Sequence, residues 1–218
     1  MTSVTRTSIR APWLYLTAFV CGFCLMALEL MAGRILQPAF GASIDVWAAV
    51  ISTFILALSL GAIIGGRLAD RSATPSTLGW IIVASASLYL LLPTYAHPAI
   101  DLFGPAIQAA RWGALLAALA LFLPPACLLG CVYPILVQRA VASSGRVGRI
   151  AGTLLAVGCI GNVLGVLVSD YVLLLQFTVN TNILGMGLLL GVTGVAHLGV
   201  PMQSGRKARY MQHQRRSG

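Results

Sequence analysis

The stretch VWAAVISTFILALSLGAIIGG, residues 46–66, runs for 21 positions without a charged side chain. At roughly 1.5 Å of rise per residue, a helix of that length crosses a hydrocarbon core of about 30 Å. Its apolar residues do not alternate with period two, so it does not read as a barrel strand. Upstream, Ala11 to Leu28 gives another 18 uncharged positions. That first run exceeds the roughly 7–15-residue core of a secretory signal and continues through Glu29 without a small-x-small cleavage pattern, which predicts a retained helix.

Composition extends this reading to the whole chain. Of its 218 residues, 58% are hydrophobic and 9% charged, where a soluble domain carries roughly 25% charged residues. Such a surface suits a bilayer, provided every backbone polar group is paired inside a helix. The expected fold is all-α, an integral membrane bundle of about six transmembrane helices near 12–35, 46–66, 78–96, 112–138, 150–176 and 182–200. One transmembrane domain would cover residues 1–202, followed by a basic tail at 203–218.

The net charge of +9 is explained by where the charges fall. With these spans Arg6, Arg10, Arg67, Arg71, Arg139, Arg146 and Arg149 share one side with Arg206, Lys207, Arg209, Arg215 and Arg216. Only Arg34 and Arg111 lie toward the other. Basic residues gather on the cytoplasmic side of membrane proteins. The expectation is therefore a multi-pass protein of the inner (cytoplasmic) membrane, with both termini cytoplasmic and lipid as its surroundings. Nucleic acid is set aside as a partner, because no recognition module accompanies these residues.

Two features bear on organisation. Helix 4 carries Pro124, Pro125 and Pro134, which remove backbone donors and predict a kink or break. The spacing Gly-x3-Gly-x4-Asp occurs at Gly61, Gly65 and Asp70 and again at Gly161, Gly165 and Asp170. It reads either as chance in a glycine-rich chain or as a 3+3 inverted repeat, a common transporter plan. On both readings these glycines are small-xxx-small surfaces where helices approach closely.

A charge within a span costs about 2.5–3.5 kcal/mol on insertion scales, so it is expected to face the bundle interior and have a partner. Glu29 and Arg34 fall in the outward half of helix 1 and Asp170 in that of helix 5, with Gln37 and Asp45 at similar depth. Two readings stay open. Either the cluster binds a cation, or Arg34 pairs with Glu29 or Asp170 and pins helices 1 and 5 together. Asn162 is expected to make an interhelical hydrogen bond.

Cys21 and Cys24 have redox spacing, and Cys127 and Cys131 lie in helix 4, so a membrane thiol relay is an alternative. Against it, buried cysteine serves as a small apolar packing residue. His97, His197 and His213 are scattered, and no metal or other cofactor is expected. Gly185, Gly187 and Gly191 imitate part of a dinucleotide fingerprint but lie inside helix 6, which points to packing.

Three segments carry a family resemblance. FVCGFCLMALELMAGRILQPAFGASIDVWAAVISTFILALSLGAIIGGRLADR (19–71), LPPACLLGCVYPILVQ (123–138) and GRVGRIAGTLLAVGCIGNVLGVLVSDYVLL (145–174) resemble the membrane region of the membrane-bound spermidine synthase-like proteins. In that family a cytosolic aminopropyltransferase domain generally follows the helices. Here a short basic tail follows instead, so the resemblance carries over no catalytic residue and the chain is expected not to be an enzyme. GGRLADR (65–71) is also similar to the loop between helices 2 and 3 of major facilitator transporters. That likeness implies a gating role for Asp70 and Arg71.

Two functions are thus expected. One is a transporter-like protein for a small cationic metabolite such as a polyamine, with Glu29, Asp170, Asp45 and Arg34 at the substrate. The other is a non-catalytic anchor or assembly subunit for a separately encoded enzyme or membrane complex.

Overall fold

The computed structural model describes residues 10–72, 74–102, 112–141 and 147–199. The expected tail at 203–218, together with Arg6, Arg111, Arg146 and His213, lies outside the described residues. Among those described, six apolar helices are long enough to cross a membrane. They are α1 (Arg10–Phe40), α2 (Ile44–Ser72), α3 (Pro75–Leu102), α4 (Gly113–Val141), α5 (Val147–Gln176) and α6 (Val179–Leu198). The chain is an all-α membrane bundle.

The helices outrun the uncharged stretches that predict them. In α1 the helix passes through Arg34, Gln37 and Pro38 to Phe40, because backbone pairing does not stop where the apolar run stops. It ends at Gly41, whose φ of 81° is the left-handed geometry that glycine adopts without a Cβ clash. Gly41 N donates to Gln37 O at 2.9 Å. The starts of α3 and α6 are capped alike: Thr74 Oγ1 accepts from Thr77 N, and Thr178 Oγ1 from Thr181 N. In α4, a break at the prolines is not what the structure shows. The helix is continuous from Gly113 to Val141, and Pro125 O accepts a hydrogen bond from Ser85 Oγ of α3 at 3.1 Å.

The packing forms two rows of three, α5–α1–α6 and α2–α4–α3. α1 meets α4 at the centre and α3 packs along α6, whereas α2 and α5 barely touch. Glycines permit the closest approaches. A Cβ on Gly61 or Gly65 of α2 would collide with the carbonyls of Cys127 or Cys131 of α4. A Cβ on Gly161 or Gly165 of α5 would collide with those of Phe19 or Phe23 of α1. Numbers rise together in both pairs, so α2 runs parallel to α4 and α1 to α5. α3 and α6 run antiparallel, since Gly79 meets Gly194 and Leu90 meets Gly187.

The two three-helix halves therefore run in opposite directions and use corresponding glycines against corresponding backbone. Gly22 of α1 and Gly130 of α4 extend the correspondence, the first facing Gly158 O and the second Leu58 O. The repeated spacing is structural as far as Gly165. Beyond it α5 widens into a π-helix, Ser169–Leu173, with Leu174 N–H bonded to Ser169 O. Asp170 lies on this wide turn, whereas Asp70 lies on a regular α-helix.

Both described ends sit at the same end of the bundle. Thr17 Oγ1 of α1 lies 2.9 Å from His197 Nε2 of α6, and the Trp13 ring stands 5.7 Å from the His197 ring.

Candidate functional site

Because α2 and α5 stand apart, the bundle holds a groove of about 270 Å³ floored by α1 and α4 and walled by α2 and α5. Its lining follows the repeat: Gly22 is matched by Gly130, Leu25 by Tyr133, Leu58 by Gly158, and Ala62 by Asn162. The groove thus lies where the two halves meet, the place at which inverted-repeat transporters hold substrate.

The lining is mostly apolar, with Asn162, Tyr133, Cys21 and Cys159 as its polar groups. Tyr133 is committed elsewhere, its hydroxyl donating to Ala151 O at 2.8 Å. Asn162 differs from expectation: it makes no interhelical hydrogen bond among the described residues, and its buried Oδ1 has no partner. Instead it stands against Gly22, where a Cβ would come within 2.7 Å of Oδ1. An uncommitted amide on an apolar wall is costly unless something reaches it.

On α1 the groove is lined by Ala18, Gly22 and Leu25. Spacings of four and three mark one helical face, and the next residue on that face is Glu29. Glu29 is half-buried, and among the described residues no hydrogen bond or ion pair reaches it. The carboxylate therefore stands one turn beyond the groove toward the end where α1 meets α2.

Other expected site residues are distributed differently. Arg34 Nη2 lies 3.4 Å from Asp170 Oδ1, with side chains 47% and 41% exposed. Arg34 thus pairs with Asp170 and not with Glu29, tying α1 to α5 at the rim of the bundle where α1 ends. Asp45 lies in the first turn of α2 at that same end, exposed and, among the described residues, joined to none of these. Asp70 and Arg71 are exposed in the last turn of α2 at the opposite end, also unpaired among the described residues.

The thiols differ in their surroundings. Cys24 Sγ points to Met186 O at 3.9 Å and Cys131 Sγ to Cys127 O of its own helix at 3.3 Å. All five are free thiols, with Cys21, Cys24 and Cys131 buried and Cys159 exposed. No hydrogen bond or disulfide joins the Cys21/Cys24 pair to the Cys127/Cys131 pair among the described residues. No described group of His, Cys, Asp and Glu is placed to hold a metal ion. In α6, Gly187 packs on Leu90. Sequence reasoning missed the groove itself, whose signal was the agreement between α2 and α5 in small residues beyond the two glycines.

Comparison with protein-family profiles, with curated proteins and with solved structures gives no match for this chain. What fold and site define is a class: a six-helix membrane bundle of two oppositely directed halves with a groove between them.

Proposed function

We propose that the chain is a transporter-like membrane protein that handles a small cationic metabolite, with a polyamine as the candidate that the family resemblance suggests. The observation that carries this reading is the position of Glu29. An unpaired carboxylate on the face of α1 that lines a groove between inverted halves is a counter-charge in a low-dielectric wall. The apolar lining would hold the methylene segments of such a cation, and Asn162 offers it a neutral hydrogen-bonding group. Arg34 and Asp170 neutralise one another at the rim, so Asp170 adds less to the attraction than Glu29.

The test is uptake of radiolabelled spermidine into liposomes containing the purified chain. Wild type should exceed protein-free liposomes, and Glu29→Gln should lower the initial rate about tenfold, the effect of losing roughly 1.4 kcal/mol of attraction. Its thermal stability should not change. No uptake by wild type, or equal uptake by Glu29→Gln, would overturn the proposal.

A second reading has one observation in its favour: α5 is the least buried of the six spans, leaving an apolar flank open to an enzyme or membrane-complex subunit. A stoichiometric partner retained through purification, with no uptake, would support it.

A further inference from the structure

The depth of Glu29 follows from the packing of α1 on α2. The two helices are antiparallel, joined at residues 41–43, and Gly33 lies against the ring of Trp47. The same register sets Gly22 level with Leu58 and Ala18 level with Ala62, and all four line the groove. Glu29 is then level with Ile51. That level is five residues, or roughly 7.5 Å, inside the start of the uncharged run 46–66. Ile51 and Ile55 are exposed on the face of α2 that continues from Leu58, so the approach to the half-buried carboxyl group is bordered by hydrocarbon.

The helices packed around α1 bring no counter-charge to that depth. On α2 no titratable side chain occurs between Asp45 and Arg67, on α4 none between Gly113 and Ala126, and on α6 none before His197. α5 runs parallel to α1 with Gly165 against Phe23, which brings Asp170 and Tyr171 to a depth similar to that of Glu29. Asp170 is met there by Arg34 of α1, and Tyr171 is exposed.

An ionised carboxylate without a counter-charge is so costly in hydrocarbon that it takes up a proton instead. We infer that Glu29 is a proton-binding site, and that a proton and the cationic solute exclude one another there. The carboxyl group holds its proton while no solute cation is bound and gives it up to water as a cation arrives. Each satisfies the same single negative charge, so one proton leaves for each solute that Glu29 binds. Intramembrane carboxylates serve proton relays in pumps and transporters, and coupling ions bind near the membrane midplane where inverted halves meet. The chain is then a proton/cation exchanger. The exchange rests on the transport reading above, whereas the proton on Glu29 rests on the packing alone.

Dicyclohexylcarbodiimide, an apolar reagent that couples to carboxylic acids and not to carboxylates, reads the proton without any substrate. The full chain in lipid nanodiscs should be labelled at Glu29, located by mass spectrometry of its peptides, and labelling should fade as the pH is raised. Spermidine should protect Glu29, and sodium chloride at equal ionic strength should not. Wild-type peptides give the assignment, so it does not depend on a variant folding. In liposomes with the membrane potential clamped, an interior more acidic by about one pH unit should raise spermidine accumulation up to about tenfold, the limit for one-for-one exchange. A Glu29 that stays unlabelled at every pH at which the chain is folded would overturn the inference. So would protection by sodium, which would assign a metal cation to the carboxylate, or accumulation indifferent to the pH gradient. Labelling of Glu29 without spermidine uptake would sink only the proposed function, and uptake with Glu29 unlabelled only the proton.

Discussion

The hydroxyl of Thr17 lies 2.9 Å from Nε2 of His197, joining the start of the first helix to the end of the last. Since the same hydroxyl reaches Trp13 O at 2.8 Å, it donates there and accepts from the imidazole, which fixes the ring tautomer. Thr17 is 0% and His197 1% exposed, so the bond is out of reach of water.

Thr17→Val and His197→Ala should therefore each lower thermal stability, and the double variant should lose less than the sum. A double-mutant cycle in detergent is expected to give a coupling of about 0.6–1.7 kcal/mol, the range for hydrogen bonds between membrane helices. Tags placed at the two chain ends should in addition be accessible from the same side of sealed vesicles.

Glycines of the repeat should be unequal to other glycines. Gly165→Ala pushes a methyl group into the backbone of Phe23, which cannot swing aside as a side chain does. Its cost should be about 1–3 kcal/mol, read as a lower melting temperature. Gly185→Ala, with nothing within 4 Å of the added carbon, should be neutral or slightly stabilising through helix propensity. Equal effects would contradict the packing described.

Asp170→Asn removes the partner of Arg34. Both side chains are nearly half exposed, so the pair is screened and the loss should stay below about 1 kcal/mol. Thermal melts of Asp170→Asn beside Gly165→Ala would rank the two, with the glycine change expected to be the more damaging by a clear margin.

Thiol labelling offers a map of burial. A membrane-permeant maleimide should modify Cys159 first, because it is exposed on the groove wall, and leave Cys24, at 0% exposure, unreacted until the protein is unfolded. Mass spectrometry of labelled peptides gives the order directly.

The number and nature of the helices were legible because apolar solvent leaves the backbone so few choices. The Gly-x3-Gly-x4-Asp spacing also reported real contacts, since only glycine lets α2 reach the carbonyls of α4 and α5 those of α1. Of the kink or break that the prolines of α4 predict, the break does not occur: each proline removes only one donor, and the helix runs on through all three. Partner choice was harder to see. Arg34 could reach a carboxylate on its own helix or on α5, and sequence distance does not say which; in the structure it pairs with Asp170, on the π-helical turn of α5. Glu29 was recognised as a charge in a span. Its place beside a groove depends on α2 and α5 standing apart, which no local pattern encodes.

The wide turn at Ser169–Leu173 leaves a bundle that is alike in its backbone and unlike in its ends. Asp70 and Asp170 hold the same rank in their halves, yet Asp170 is clasped by an arginine at one rim while Asp70 stands open at the other. On the transport reading, a solute crossing between those rims would leave one kind of electrostatic threshold and meet another, and the two directions of crossing would not be mirror images.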